Sequence, residues 1–322
     1  MKRGLSPRCA WKRKSVASYP SDNSATGTTV TGNPDYRGRF APSPTGLLHL
    51  GSLAGALVSY LDARAHDGTW FVRIDDIDPP REVPGAADAI LRTLERHALL
   101  WDERVYYQST SARQHLDAAN SLHAAGQAYH CDCARRALKK SGLLGAYPGT
   151  CRTRGLSAGA LRVIVNGEPV TIADRWQGTH HFQLEQRPGD FIVRRRDGLI
   201  AYQLACAVDD ADQQITDVVR GVDLFDSTPR QVYLQRQLGL PEPRYAHFPV
   251  LVGADGDKLS KQTGATAVDD TTPAANLFRV LHLLGFEPPR EIAHHPPEQV
   301  IDWATQRYVT SQFNATQTIA LD

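Results

Sequence analysis

The stretch Arg39-Phe40-Ala41-Pro42-Ser43-Pro44-Thr45-Gly46-Leu47-Leu48-His49-Leu50-Gly51-Ser52 decides the fold. Its opening, Arg39 to Ala41, is an apolar run that leads into a turn punctuated by Pro and Gly. From Leu53 to Ala65 apolar residues recur at helical spacing, so the whole reads as strand, turn and helix. Pro42 and Pro44 stiffen the turn, Gly46 lets it bend, and Gly51 keeps the first helical turn bare enough for an anion to reach backbone N–H groups. His49 and Ser52 flank that backbone. Such a helix N-terminus suits a nucleotide triphosphate, because the dipole and the orphan N–H groups both favour negative charge.

Far downstream, Lys258-Leu259-Ser260-Lys261-Gln262 places two lysines on a Gly-flanked loop. Together the two stretches resemble the paired signatures of class I aminoacyl-tRNA synthetases. Pro42 to Gly46 followed by His49-Leu50-Gly51-Ser52 is similar to the HIGH signature in its glutamyl-group form, and Lys258 to Gln262 is similar to KMSKS. Two motifs in the right order at a large separation make coincidence a poor explanation. The resemblance implies an α/β, Rossmann-like catalytic domain and ATP with Mg²⁺ as substrate. His49, Gly51 and Ser52 would serve the phosphates from the fixed side, and Lys258 and Lys261 from the mobile side.

Composition sets the bounds. A chain of 322 residues with 41% hydrophobic content can bury one large core or two modest ones. Charge interrupts every apolar run well before the roughly 18 residues a membrane span needs, so no membrane role is expected. The formal net charge is +1, so a nucleic-acid partner would have to be held by a local basic surface. Of the five cysteines, Cys9, Cys131, Cys133, Cys151 and Cys206, three cluster in a chain that shows no secretory signal. That favours metal over disulfides and a reducing, cytoplasmic setting.

Along the chain, residues 1–35 are rich in Ser, Thr, Gly and Asn and read as a disordered tail; the absence of a helical apolar face argues against a transit peptide. The first half of the catalytic domain spans 36–127. Its first strand, turn and helix are followed by a second strand, Thr69 to Ile74, which the crossover makes parallel. That strand ends in Asp75-Asp76-Ile77-Asp78, where open α/β sheets bind ligands, and Asp75 is the candidate to hold a substrate ammonium. Asp76 and Asp78 read as solvated loop residues. Helices are expected from Pro79 to about Ala98 and from Ser111 to Gly126.

An insertion is expected over 128–189. There Tyr129-His130-Cys131-Asp132-Cys133 and Tyr147-Pro148-Gly149-Thr150-Cys151 offer two thiolates at C-x-C spacing and a third after a long loop. Three cysteines leave one tetrahedral position open to Tyr147, His130 or water, and ligand chemistry alone ranks His130 first. The second half of the catalytic domain is expected over 190–265. Asp190 to Arg196 and Leu199 to Val208 read as two strands, or a strand and a helix, split by Asp197-Gly198. Arg220, after an apolar run and before Gly221, suits a bidentate carboxylate clamp at a strand end. Thr228 to Gly239 reads as helix and Phe248 to Val252 as one short strand. The remainder, 266–322, is expected to be helical, chiefly Pro273 to Leu284 and Pro297 to Gln306.

The C-x-C and Y-x-x-x-C pattern is similar to that of the glutamyl-queuosine tRNA(Asp) synthetases. This resemblance implies one zinc ion held by Cys131, Cys133, Tyr147 and Cys151. It also implies a glutamate site formed by Arg39, Phe40, Ala41, Pro42, Ser43, Asp75, Tyr202 and Arg220, although the glutamyl family usually has Glu where Asp75 stands. The implied activity is ATP-dependent, tRNA-independent activation of glutamate, then transfer to the queuosine base in the anticodon of tRNA(Asp), by a monomer. Glutamyl-tRNA synthetases continue into a large anticodon-binding domain for which no residues remain after 322, which is the expected mark of the queuosine-directed group. Two rivals are a truncated glutamyl-tRNA synthetase charging a 3′ end and a catalytically silent, zinc-bearing RNA-binding paralogue.

Overall fold

The computed structural model describes residues 35–140, 142, 145–252, 266–309, 313 and 318–320. Strand β1 (Arg37–Phe40), helix α1 (Leu50–Ala65) and strand β2 (Thr69–Ile74) form the expected unit, with β1 and β2 parallel in the register Gly38 to Trp70. Helix α1 is buried almost all round, with Leu53, Leu57, Val58 and Leu61 fully inaccessible. Each such side chain contributes about 1.5–3 kcal/mol by burial. Its buried Asp62 carries compensation: Arg175 makes two bonds to it at 2.6 and 2.9 Å, and the hydroxyls of Tyr36 and Tyr308 also donate to it.

Beyond β2, Pro79–Arg81 forms only a 3-10 turn, and helix α2 (Ala86–Arg96) starts later than the sequence suggested. Gly85 at φ 77° separates the two and makes one continuous helix from Pro79 impossible. Strand β3 (Tyr106–Tyr107) and helix α3 (Ala112–Ala124) follow. Next come β4 (Ala128–Cys131), α4 (Arg135–Lys140), β5 (Ala160–Val163), β6 (Val170–Asp174), β7 (Gly178–Phe182) and β8 (Phe191–Arg194). Helix α5 (Tyr202–Asp212), strand β9 (Asp217–Gly221), helix α6 (Thr228–Leu238), β10 (Arg244–Phe248) and β11 (Val250–Val252) complete the second half. The single strand expected from Phe248 to Val252 is thus two, parted at Pro249, which has no N–H to give to a ladder.

The main sheet runs β3-β2-β1-β9-β10-β6-β7, parallel except for the β6–β7 pair. Strands β4, β5 and β8 make a second, antiparallel sheet. Residues 128–189 therefore divide: β4 and β5 join β8, while β6 and β7 extend the edge of the main sheet. The C-terminal region holds α7 (Pro273–Leu283) and α8 (Pro297–Arg307), and it is not wholly helical, because β12 (Thr318–Ala320) pairs in parallel with β11. Leu277, Val280, Val300 and Ile301 of these helices share one core with α1 and α2.

Both faces of the main sheet are covered, as parallel strands require. On β2, Trp70, Val72 and Ile74 enter the core with α1, whereas Phe71 enters the opposite core with α3, α5 and α6. The same alternation divides Val219 from Val218 on β9 and Ala246 from Tyr245 on β10. Arg39, Arg73, Arg220 and His247 fall at the parity of Phe71, Val218 and Tyr245, on the α5 face near the strand ends. These four polar side chains, with Asp174 of β6 bonded to His247, thus stand on a face that also carries a large apolar core.

Candidate active site and metal centre

At the carboxyl ends of β1 and β2, the turn after Phe40 is clasped by the loop after Ile74: Asp75 N donates to Pro42 O at 2.9 Å and Val83 N to Pro44 O at 2.9 Å. Strand order reverses between β1 and β9, so Ala41, Asp75 and Arg220 border the crevice in which open α/β sheets hold ligands. Beneath it lies a buried network. Arg39 donates through Nε and Nη2 to the two oxygens of Asp210, at 3.1 and 3.2 Å. Arg73 donates through Nε to Asp75 at 2.8 Å and through Nη1 to Asp210 at 2.7 Å. Two guanidinium groups thus balance two carboxylates.

The carboxylates respond differently. Burial opposes ionisation of Asp210, but Arg39 and Arg73 outweigh it and hold its carboxyl down to about 2. Burial also pushes Asp75 up, and Arg73, already shared with Asp210, leaves it at about 6. The Cys206 thiol, 3.9 Å from Asp75, is pushed well up by burial and by that carboxylate. Tyr202 opens α5, and burial raises its phenol, with Cys206, Arg220 and Asp75 all in electrostatic range. Arg39 is therefore anchored internally rather than presented as a free fork.

Arg220 is 6% exposed, which excludes a surface ion pair. Its Nε donates to His247 Nε2 at 3.1 Å, and its Nη2 to Thr228 Oγ1 and Gln231 Oε1, each at 2.8 Å. Its Nη1 is buried with no protein partner among the described residues. One nitrogen of the guanidinium, with two N–H donors, therefore remains for an anion.

His49 caps α1: its Nδ1 accepts from Ser52 N at 3.3 Å, and its Nε2 lies 2.9 Å from Ser52 Oγ. The Ser52 N–H expected to be bare is thus engaged by the imidazole. Lys258 and Lys261 lie outside the described residues. The flanks of that segment are described: it leaves from Val252 at the end of β11, and on its far side Ala267 bridges to His49 and Val268 N donates to Leu48 O at 2.9 Å. The far flank of that segment is thereby tied to the His49 stretch at the helix N-terminus.

The cysteines form the second constellation. The ligand atoms of Cys131, Cys133 and Cys151 lie within 4.8 Å of one another. Tyr147 Oη is 3.4 Å from both Cys131 Sγ and Cys133 Sγ and accepts from Cys151 N at 3.3 Å. Tyr147 is fixed from behind, where its N–H donates to Pro188 O at 2.8 Å and a side chain at Gly189 would meet its carbonyl at 2.3 Å. His130 neighbours Cys131 on β4, so its ring projects to the opposite face, where it lies 4.8 Å from the ring of His123. Arg162 reaches Cys131 Sγ with Nε at 3.2 Å and lies 3.9 Å over the Tyr147 ring, while Arg154 Nη1 is 3.5 Å from Cys151 Sγ. These donors fit a divalent, thiophilic ion: three thiolates around a 2+ ion leave excess negative charge, and two guanidinium groups stand ready to balance it.

Sequence reasoning singled out Arg39, Asp75 and Arg220 but missed their partners Arg73, Asp210, His247, Thr228 and Gln231. A signal was present: Arg73 and His247 each interrupt an apolar strand at a position facing a second apolar layer.

The class I (E and Q) tRNA synthetase catalytic domain matches residues 35–142 and 156–321. A glutamyl-Q tRNA(Asp) synthetase of Burkholderia cenocepacia is 56% identical over 256 residues, covering 75% of this chain and 86% of that protein. Proteins of the same name are 50% identical in Methylococcus capsulatus, covering 85% and 91%, and 45% identical in Ectopseudomonas mendocina, covering 89% and 98%. Among solved structures, a glutamate-tRNA synthetase from Elizabethkingia anophelis superposes with a TM-score of 0.75 at 22% identity, covering 89% of this chain and 68% of that one, which is a likeness of fold. By sequence over most of its length and by fold, the chain belongs to the class I tRNA synthetases (E and Q), within the group of the glutamyl-Q tRNA(Asp) synthetases.

Proposed function

We propose that the chain joins glutamate to ATP as glutamyl-adenylate and transfers the glutamyl group to queuosine in the anticodon of tRNA(Asp). The observation that carries this reading is the 56% identity to a protein of that name across 86% of that protein's length. In the first step a glutamate carboxylate oxygen attacks the α-phosphorus; the P–O bond to the β-phosphate breaks, and its electron pair leaves on pyrophosphate. In the second, a hydroxyl of the queuosine cyclopentenediol attacks the adenylate carbonyl, an ester forms, and AMP leaves.

The site residues have matching tasks. Arg220 offers its buried, unpartnered Nη1 to a glutamate carboxylate, and at a buried atom a charged hydrogen bond is strongest. Asp75 faces the ammonium, Tyr202 and the Phe40 to Ser43 backbone line the pocket, and Arg39 supports its floor. His49, with Gly51 and Ser52, meets the phosphates at the helix N-terminus. By motif, Lys258 and Lys261 supply positive charge where it develops on the leaving pyrophosphate. Cys131, Cys133, Tyr147 and Cys151 would hold zinc, which would supply cross-linking of the 131–151 loop rather than chemistry at the strand ends. We further propose that the protein acts in the cytoplasm as a monomer. No helix among the described residues is long and apolar enough to cross a membrane.

The test is glutamate-dependent ATP–pyrophosphate exchange with and without tRNA, followed by transfer of labelled glutamate. Exchange should proceed without tRNA, and label should appear on queuosine-containing tRNA(Asp) and not on the unmodified transcript. Nuclease digestion should release it with an anticodon fragment. Label released with the terminal adenosine would replace this reading with 3′-end charging.

A further inference from the structure

Behind Arg220 lies a relay that the proposed reaction does not use directly. His247, on β10 beside β9, pairs in register with Arg220 and is completely buried. Its Nδ1 donates to Asp174 Oδ2 at 2.5 Å, and its Nε2 lies 3.1 Å from Arg220 Nε and 3.0 Å from Thr228 Oγ1. We infer that Asp174 and His247 are positioning residues that fix the Arg220 guanidinium through the His247 tautomer, so that only Nη1 is presented to the substrate carboxylate. This rests on the reading of Arg220 as a glutamate ligand.

The argument is one of donors and acceptors. Burial, more than the opposing pull of Asp174, drives the imidazole down to about 4, so it is neutral at working pH and carries one ring proton. Asp174 is acceptor-only when ionised and claims that proton at Nδ1, which leaves a lone pair at Nε2 for Arg220 Nε–H. The orientation of Asp174 is itself determined: Oδ1 accepts backbone N–H groups from Trp176 at 3.0 Å, Gln177 at 2.9 Å and His247 at 3.2 Å. Thr228 and Gln231 then take Nη2. With Nε and Nη2 engaged, rotation of the guanidinium would break three bonds at once.

This geometry makes an isosteric substitution informative. In Asp174→Asn the three backbone N–H groups hold the amide oxygen at the Oδ1 position, so the amide NH2 must face His247 Nδ1. Nδ1 becomes an acceptor, the ring proton moves to Nε2, and Nε2–H then opposes Arg220 Nε–H. The tautomer inversion is the kind a carboxylate-to-amide change produces in a catalytic triad. His247→Gln behaves differently, since its amide can donate to Asp174 and accept from Arg220, retaining the polarity while losing the ring.

The experiment measures steady-state glutamate and ATP dependence of pyrophosphate exchange for Asp174→Asn, His247→Gln and Arg220→Ala, with ¹⁵N NMR of the histidine ring nitrogens and a melting curve to show that each variant folds. Asp174→Asn is expected to raise the glutamate KM about tenfold or more, as loss of a charged buried hydrogen bond does. The ATP KM should not change, and the His247 signals should invert from the Nδ1–H to the Nε2–H pattern. His247→Gln should raise the glutamate KM less. A folded Asp174→Asn with an unchanged glutamate KM overturns the inference, as does a His247→Gln hit as hard as Asp174→Asn, which would assign the effect to ring packing. If Arg220→Ala itself leaves the glutamate KM unchanged, the assignment of Arg220 falls, and the relay loses its purpose with it.

Discussion

The strand-end ion network and the cysteine cluster both concentrate groups that are costly to bury, yet they meet the cost by different means. In the strand-end network, Arg39 and Arg73 oppose Asp75 and Asp210 within hydrogen-bond distance, on the sheet face that carries the core of α3, α5 and α6. The charges balance before any ligand arrives. In the cluster, the closing core among the described residues is Tyr129, Cys131, Leu138, Tyr147 and Cys151 with a few half-buried neighbours, and three of those five are themselves proposed ligands. A site on the strand ends of a deep core can be preorganised by protein charge alone, whereas a site on a loop beside a small core depends on an ion to define it.

Removing one ligand should therefore have its largest effect at the cluster. Wild-type protein is expected to carry about one zinc per chain, and Cys151→Ser almost none, because only two thiolates would remain beside Tyr147. Metal analysis with limited proteolysis reads this; the 131–151 segment should become the preferred cleavage region. Full zinc occupancy in Cys151→Ser would refute the ligand set. The strand-end network should answer to charge instead. Arg73→Met strands Asp75 and Asp210 without their shared partner and is expected to cost about 3–5 kcal/mol in denaturant unfolding, as loss of one member of a buried pair does. A loss below about 1 kcal/mol would mean that water, not Arg73, compensates those carboxylates.

Acid should distinguish the sites further. Asp75 must be ionised to balance an ammonium, and its carboxyl is raised to about 6. In the free enzyme, kcat/KM for glutamate should fall about tenfold per pH unit below that value, and Asp75→Asn should flatten the profile at a low level. A profile flat to pH 5 in the wild type would remove Asp75 from the ammonium site. For folding the sign reverses. A carboxyl whose folded pKa exceeds its ordinary 3.8 stabilises most below that value and loses its contribution as pH rises through about 6. Asp210, held down to about 2, contributes above 3.8 and loses its contribution as pH falls through about 2.

What the sequence made legible follows from range. The strand, turn and helix from Arg37 to Ala65 are specified by neighbouring residues, so Pro42, Gly46 and the apolar spacing were enough to read them. The strand at Thr69–Ile74 and the helix at Thr228–Leu238, closed by Gly239 at φ 66°, were legible for the same reason. The return of β6 and β7 to the main sheet was not, because Val170 to Phe182 alternates like any exposed hairpin and its partner strand lies some seventy residues on. The site divided similarly. Arg220 stood out beside Gly221, but Asp174, Asp210 and His247 acquire meaning only when topology brings them to Arg39, Arg73 and Arg220. β12 was missed because three residues carry no periodicity.

The smallest effect expected concerns the fourth ligand, where the two regions differ most in kind. Ligand chemistry favoured His130, an ordinary zinc donor, over Tyr147. Position reverses that order: His130 points off β4 toward His123, while Tyr147 Oη stands 3.4 Å from two thiols under the cation of Arg162. Without metal, burial and the neighbouring thiols raise the Tyr147 phenol far above its usual range, so the apo protein keeps it protonated. A bound cation would reverse that preference locally, and Arg162 over the ring would offset part of the added negative charge. Tyr147→Phe keeps the ring and removes the oxygen, so three thiolates remain and water can complete the tetrahedron. Zinc should still bind, about tenfold more weakly, with the loss shrinking as pH falls because the wild-type phenol, protonated without metal, must give up a further proton to ligate. His130→Ala should leave the affinity unchanged. Chelator competition resolves the two, and a His130→Ala that loses zinc while Tyr147→Phe retains it at full strength would restore the histidine as the ligand.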